Sequence, residues 1–179
     1  MNKLISFVVF VSFIFLIGCT NSIKYNDEDV AAIVRGEEIT IGELRFLYQD
    51  QKLLDVIDGV VKAELAVQEA KKMNLDVSKE IKETIEARGG YPPDDIDNPT
   101  AKSIREFAEP QAKKLGMDPG EYYEKYIEIT TTTVAYINAY VHEILGEPGD
   151  NVEEYDERAN QLLNDLVEEN EDEIEILIE

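Results

Sequence analysis

The sequence predicts a mainly α-helical fold of about six helices, with a small β-sheet that pairs an N-terminal hairpin with a C-terminal strand. Between residues 50 and 170, apolar residues recur at intervals of three and four, the period of helices that bury one face. Strand signals lie near the two ends, at residues 30–39 and 173–178. Because a lone C-terminal strand needs a partner, we expect it to pair with the hairpin.

A turn and a cap delimit the N-terminal elements. Apolar residues on both sides of Gly36 predict a β-hairpin over residues 30–39. Thr40, followed three residues later by Glu43, has the pattern of a capping box, in which each side chain accepts a hydrogen bond from the other residue's backbone N–H. We therefore expect a helix that begins after Thr40 and ends near Tyr48.

A longer helix is predicted over residues 50–74, and it carries apolar residues on two faces, as a central helix does. The first face comprises Leu53, Val56, Ile57, Val60, Ala63, Val67 and Ala70, and the second comprises Leu54, Val61 and Leu65. Gly59 lies inside this helix, where glycine costs about 1 kcal/mol relative to alanine. We therefore expect a neighbouring element to approach closely there.

Further helices are separated by loop signals. Ser78 is predicted to cap a helix over residues 79–88, and residues 89–99, rich in glycine, proline and aspartate, are predicted to form a loop. A helix over residues 100–115 contains Pro110, which predicts a kink or break just before the proline.

Asp118 caps the longest helix, which is expected to run to about Leu145, and a last helix is predicted over residues 152–170. The β-branched residues 130–133 are weak helix formers, but the flanking periodicity favours a helix throughout. The predicted core face of the long helix comprises Tyr123, Tyr126, Ile127, Val134, Ile137, Val141 and Ile144.

Cys19, the only cysteine, closes a signal-peptide pattern. Lys3 precedes an apolar run over residues 4–17, which is shorter than the roughly 20 residues that cross a bilayer as a helix. Residues 16–19 resemble a bacterial lipobox. The resemblance implies that a diacylglycerol is attached to Cys19 and that residues 1–18, the signal peptide, are removed. The alternative is a cysteine that merely follows a signal peptide or an anchor helix.

The lipobox resemblance places the protein at the cell membrane, lipid-anchored on the extracytoplasmic face. Residues 19–29 are mostly polar and acidic, and we expect them to form a flexible tether between the lipid and the fold. No cofactor is expected, apart from the covalent diacylglycerol that the lipobox resemblance implies on Cys19.

The formal net charge is −22, with 39 acidic against 17 basic residues. This balance, without a basic stripe, argues against nucleic-acid binding. Two interpretations of the charge stay open, which are plain solubility and attraction to basic partners or to cations of the envelope. With a single histidine, His142, and its one cysteine expected to carry lipid, the chain is predicted to be neither an enzyme nor a metal-binding protein.

Four sequence segments, in this order along the chain, resemble the pattern of a known protein family. Residues 32–44 read as strand, polar-glycine turn, strand and threonine-capped helix, and residues 54–75 carry an aliphatic pair, an acidic residue and a Gln-Glu-Ala-Lys-Lys stretch. Residues 75–78 start a new capped helix, and residues 116–123 form a loop and cap before a long helix. The series is similar to the N-terminal part of the SurA/PrsA-type chaperones and covers roughly residues 30–146.

The resemblance implies a single SurA N-terminal-like helical domain over residues 30–179, related in shape to the peptide-binding domain of trigger factor. The chain has no room for the parvulin domain of the PrsA-type foldases, so prolyl isomerase activity is not implied. The implied function is that of a lipid-anchored chaperone or holdase that binds unfolded or extended segments of secreted polypeptides. The alternative is a dedicated adaptor lipoprotein that holds one specific envelope protein.

The candidate peptide-binding residues are apolar or aromatic side chains from the helix over residues 100–115, from the long helix that follows it, and from their connection. Four of them fall off the predicted core face of the long helix, so they could line a groove for apolar segments of a client. The alternative is that another helix packs over them. The set comprises Phe107, Met117, Tyr122, Tyr126, Ile129, Tyr136 and Tyr140.

The Cys19→Ala variant is expected to leave the membrane fraction or to remain unprocessed, because the residue that would carry the lipid is gone. Membrane fractionation and the mobility of the mature chain on a denaturing gel measure both outcomes. A Ser22→Ala variant, changed in the tether, is the control. If Cys19→Ala is processed and stays membrane-bound, the lipoprotein prediction is wrong.

Overall fold

The computed structural model describes residues 24–179, so Cys19 and the predicted signal peptide lie outside the described residues. The described part confirms the predicted mainly helical class with a small sheet. In chain order its elements are β1 (Val30–Val34), β2 (Glu37–Thr40), α1 (Ile41–Leu47), α2 (Leu53–Lys72), α3 (Ser78–Arg88), α4 (Pro99–Leu115), α5 (Pro119–Leu145), α6 (Val152–Glu168) and β3 (Ile174–Ile176).

The predicted pairing of the two ends is confirmed. The sheet has the order β2-β1-β3 and both pairings are antiparallel. Ala32 in the central strand is opposite Ile39 on one side and Ile176 on the other. The hairpin turns through Arg35 and Gly36, whose φ angles are 52° and 83°. Positive φ at both central residues is what a two-residue turn of type I′ requires, and glycine adopts it without strain.

Arg35 ties this turn to α2 and to the chain segment before β3. Its Nη1 donates to Glu69 of α2 at 2.6 Å, and its Nε donates to Glu173 at 3.1 Å. Its backbone N–H also donates to the Glu173 carbonyl at 2.8 Å, and Nη2 donates to Asn170 at 2.6 Å. Burial acts to raise the pKa of Glu69, but the hydrogen bonds and charges of Arg35 and Lys72 together outweigh it and hold that pKa below its ordinary value.

Helix α2 is the central helix, as predicted, because it packs against α5, α6 and β1. Its buried residues are Leu53, Ile57, Val61, Leu65, Ala66, Val67 and Ala70. Two expectations about it are wrong. Leu54 is 53% exposed, and no described atom outside the helix lies within 4 Å of a Cβ built at Gly59. Both residues lie off the face of α2 that is buried, and both are exposed to solvent.

The second half of the expected tether is hydrogen-bonded to the start of α1. Asp27 and Asp29 accept backbone hydrogen bonds from Gly42 and Ile41, each at 2.9 Å, and Asp27 forms an ion pair with Arg45. A Cβ at Gly42 would lie 3.1 Å from the Asp27 carbonyl oxygen, so a larger residue there would have to displace the Asp27 backbone by a few tenths of an ångström. The flexible tether therefore does not extend to residue 29 as predicted.

The structure tests the predictions about Pro110 in α4 and about the caps of α1 and α5. A kink or break was expected at Pro110, and the break does not occur, since α4 is one continuous helix over Pro99–Leu115. The capping predictions for α1 and α5 are confirmed: Thr40 and Glu43 form the capping box, and the Asp118 carboxylate accepts from two backbone N–H groups at the start of α5.

The buried face of α5 changes along its length, whereas the sequence predicted one core face for the whole helix. Its N-terminal half joins a cluster with α4, and its C-terminal half joins the main core around α2 and the sheet. As a result Val134 and Ile144, predicted to be in the core, are 48% and 47% exposed. Tyr122 and Tyr140, predicted to lie off the core face, are 0% and 7% exposed.

The two clusters meet at the carboxyl end of α1, where backbone carbonyls would otherwise lack partners. Gln111 and Lys114 of α4 both donate to the Arg45 and Tyr48 carbonyls, with distances from 2.6 to 3.4 Å. Lys114 also donates to the Asp50 carboxylate at 3.0 Å. Burial acts to lower the pKa of the Lys114 ammonium, but only the charged form can donate to all three acceptors.

Asp50 has two cationic neighbours, Arg45 at 3.2 Å and Lys114 at 3.0 Å. Burial acts to raise the pKa of Asp50, but the hydrogen bonds and charges of both cations outweigh it, so that pKa lies below its ordinary value of 3.8. A carboxyl group whose pKa is lowered by folding stabilises the fold while it is ionised.

Asp50→Asn is expected to lower the free energy of unfolding at pH 7 by about 1–3 kcal/mol, because the partly buried Lys114 loses its carboxylate and Arg45 loses one of its two. The contribution of Asp50 is full above about pH 5 and is lost as the pH falls through its native pKa. The difference in stability between the wild type and Asp50→Asn should therefore shrink between pH 7 and pH 3. Urea denaturation followed by circular dichroism measures this difference.

The matched control for this prediction is Asp55→Asn. Asp55 pairs with Lys52 at 3.3 Å, but both side chains are more than 60% exposed. Exposed pairs of this kind contribute about 0–1 kcal/mol. If Asp50→Asn and the wild type lose stability in parallel as the pH falls, Asp50 is not the carboxylate that carries this pH dependence.

Candidate functional site

An open apolar groove lies between the β2–α1 segment on one side and helices α2 and α5 on the other. Its volume is about 490 Å³. Most of the residues lining it are apolar, and the rest are glutamates and one threonine. The lining comprises Glu37, Glu38, Ile39, Glu43, Leu44, Phe46, Leu47, Tyr48, Val60, Ala63, Glu64, Ile129 and Thr133.

The floor and walls of the groove combine buried and accessible apolar side chains. Leu44 and Ile39 are 1% and 8% exposed and anchor the groove to the core. Phe46 and Val60 are partly exposed, and Ile129 of α5 is 42% exposed. Large aliphatic side chains that stay accessible within a concave surface are typical of sites that bind apolar groups.

Four glutamates border this apolar surface. Glu37 and Glu38 of β2 are exposed, and Glu43 and Glu64 come from α1 and α2. Glu43 accepts hydrogen bonds from the backbone N–H and hydroxyl of Thr40, at 2.7 and 2.9 Å. Among residues 24–179, every charged residue that lines this groove is a glutamate. The groove is therefore apolar at its floor and negative at its border.

A second depression of about 420 Å³ continues the groove between α2 and α5. It shares Glu64, Ile129 and Thr133 with the first. Tyr136 lines this extension, and the Lys71 ammonium lies 5.7 Å from the centre of its ring, within the range of a cation–π contact. The two depressions together form one surface, which we call the α2–α5 groove.

The structure brings two of the seven predicted binding residues to this groove, Ile129 and Tyr136. Two others do not line any open surface, which corrects the prediction for them. Tyr122 is completely buried in the cluster between α4 and α5, which we call the aromatic cluster and whose buried residues are Ala108, Ala112, Tyr122, Tyr123 and Ile127. Tyr140 is buried in the main core. Both are covered because α5 changes its packing partners along its length, so residues off one stripe fall on another.

The remaining three predicted residues, Phe107, Met117 and Tyr126, are partly buried and pack against the aromatic cluster. The ring of Phe107 lies 4.7 Å from that of Tyr126, and the ring of Tyr122 lies 5.1 Å from that of Phe46. These centroid distances are those of favourable aromatic pairs. The cluster therefore supports one wall of the groove from behind, because Phe46 belongs to both.

Tyr122 links this cluster to α1 by a hydrogen bond. Its hydroxyl donates to the Phe46 carbonyl at 2.9 Å. Burial raises the pKa of Tyr122 to about 12, so the hydroxyl remains protonated and can donate at any physiological pH. Together with Gln111 and Lys114, Tyr122 fixes the end of α1 that forms one wall of the groove.

Sequence reasoning missed the groove residues contributed by α1 and the segment after it. Phe46, Leu47 and Tyr48 are three consecutive bulky side chains, more than one face of a seven-residue helix can bury. This surplus of bulky side chains on so short a helix is the sequence feature that could have predicted an exposed apolar surface there. The carboxylates of β2 gave no signal, because glutamates are frequent throughout the chain.

Within residues 24–179, no group of three or more His, Cys, Asp or Glu side chains is arranged to hold a metal ion. In the same range, no helix combines the length and apolarity needed to cross a membrane.

Comparison of the chain with protein-family models, with curated proteins and with solved structures gave no match. The similarity to the SurA/PrsA-type chaperones therefore rests on the sequence segments alone and stays a prediction.

Tyr122→Phe is expected to lower the free energy of unfolding by about 1–3 kcal/mol, because the buried Phe46 carbonyl loses its donor while the ring is retained. Urea denaturation measures the change. The matched control is Tyr126→Phe in the same cluster, whose hydroxyl has no hydrogen bond within the described residues; its cost should stay within about 0.5 kcal/mol. Equal costs would show that the hydroxyl of Tyr122 does not hold α1.

Proposed function

We propose that the protein is a lipid-anchored, extracytoplasmic holdase that binds unfolded or extended polypeptide segments without isomerising prolyl bonds. The observation that carries the proposal is the α2–α5 groove, an open apolar surface with Ile129 accessible at its centre. Unfolded chains expose apolar side chains that folded proteins bury, so an accessible apolar groove binds them preferentially. The similarity of residues 30–146 to the SurA/PrsA-type chaperones points to the same function.

The lipid expected on Cys19 would keep this groove near the site where secreted chains emerge. Membrane anchoring by lipid contributes about 0.8 kcal/mol per buried methylene, so stable anchoring takes more than one acyl chain. The net charge of −22 repels an anionic lipid surface. The body would therefore stand away from the membrane to which its lipid holds it, with the groove accessible to clients.

The test measures light scattering by a chemically denatured model protein, diluted into buffer with and without residues 20–179. We expect aggregation to be suppressed in proportion to the concentration of the protein. Isomerisation of a prolyl test peptide is measured in parallel and should proceed at the uncatalysed rate.

A matched pair of variants locates the activity. Ile129→Gln removes an accessible apolar side chain from the groove, and Val134→Gln removes one of similar exposure from the same helix outside the groove. Losing the burial of an isoleucine against a client costs about 1.5 kcal/mol, so Ile129→Gln should weaken suppression by about tenfold. Val134→Gln should behave as the wild type.

If the wild type does not suppress aggregation, the holdase proposal is wrong. In that case, capture of one protein at fixed stoichiometry from an envelope extract would favour the alternative, an adaptor that holds a single partner. Equal loss of suppression in both variants would show that the groove is not the client site.

A further inference from the structure

The charged side chains that line the α2–α5 groove are almost all negative. Glu37, Glu38, Glu43 and Glu64 border the main depression, and Glu128 borders its extension. Lys71, at the far end of the extension, is the one cation lining the groove within residues 24–179.

The partners of these carboxylates do not neutralise them. Glu43 accepts hydrogen bonds from Thr40, and Glu64 accepts one from the Gln68 amide at 2.9 Å. Glu37 and Glu38 form no ion pair with any residue in the described part of the chain. Carboxylates beside low-dielectric walls concentrate a negative potential in the cleft between them.

We propose that the groove selects extended segments in which an apolar stretch is flanked by lysine or arginine. This inference rests on the proposed function and specifies the class of client. The apolar side chains would occupy the floor around Leu44, Phe46 and Ile129, and the flanking cations would lie at the glutamates of β2, α1 and α2. Charge complementarity of this kind selects partners and speeds their association.

The arrangement of the carboxylates favours a polypeptide over a metal ion as the occupant. A metal site needs several ligands that converge on one point. Here the glutamates are distributed around an apolar floor, and within residues 24–179 no three acidic or other ligating side chains are grouped to hold a metal. An extended chain can place apolar side chains on the floor while its basic side chains reach the border.

The test compares two fluorescent peptides that share one core of alternating leucine and phenylalanine, one flanked by lysines and the other by glutamates. Binding to the full chain in nanodiscs of zwitterionic lipid is followed by fluorescence anisotropy, with empty nanodiscs as the blank. At about 0.01 M salt, where the Debye length is about 30 Å, the lysine-flanked peptide should bind about tenfold more tightly. At about 1 M salt the preference should fall to about twofold or less.

Paired charge variants locate the selection. The double variant E37Q/E38Q removes two exposed carboxylates of the groove border that hold no ion pair. The double variant E157Q/E168Q removes two exposed carboxylates of α6 and causes the same change in net charge. The first should reduce the preference for the lysine-flanked peptide by about threefold, and the second should leave it unchanged. Thermal unfolding of both variants verifies that they fold.

The outcomes separate this inference from the function on which it rests. If both peptides bind equally at low salt, or if the two double variants behave alike, the groove does not select by charge. The glutamates would then serve solubility or protection of an exposed sheet edge, and the holdase proposal would be unaffected. If neither peptide binds, the holdase proposal falls, and this inference falls with it.

Discussion

The docking of the carboxyl end of α1 onto α4 and α5 is the interaction on which the rest of the arrangement depends. A seven-residue helix is too short to be stable alone. Its last carbonyls accept hydrogen bonds from side chains of Gln111, Lys114 and Tyr122. These bonds join the aromatic cluster to the main core, and they fix the position of Phe46. The position of the α1 wall of the groove thus depends on hydrogen bonds from α4 and α5 to the carboxyl end of α1.

Local signals in the sequence predicted the elements well. The capping box at Thr40 and Glu43 and the cap at Asp118 depend on residues only a few positions apart, so sequence reveals them directly. Pairing of the C-terminal strand with the hairpin was predicted by elimination, since neither could be stable alone. Of the kink or break predicted at Pro110, the break is wrong, because α4 continues through the proline despite the loss of one backbone hydrogen bond.

The candidate site was much less predictable, because it is assembled from parts of the chain that are far apart. Tyr122 and Ile129 are seven positions apart on one helix and look equivalent by periodicity, yet one is completely buried and the other is 42% exposed. The difference arises because α5 packs on α3 and α4 near its start and on α2 and α6 further along. Which turn of α5 meets which neighbour is a tertiary property, and single-sequence periodicity carries no information about it.

The central position of β1 has a consequence for how the chain folds as it is synthesised. β1 lies near the N-terminal end of the fold, but one of its two partners is β3, and Arg35 beside it bonds to Glu173. Contacts between such distant segments form late, because the intervening chain must be ordered first. A chain that emerges N-terminus first therefore carries an incompletely paired β1 until its last segment arrives. If the protein is the holdase that we propose, it would itself pass through an unfinished state with an open strand edge.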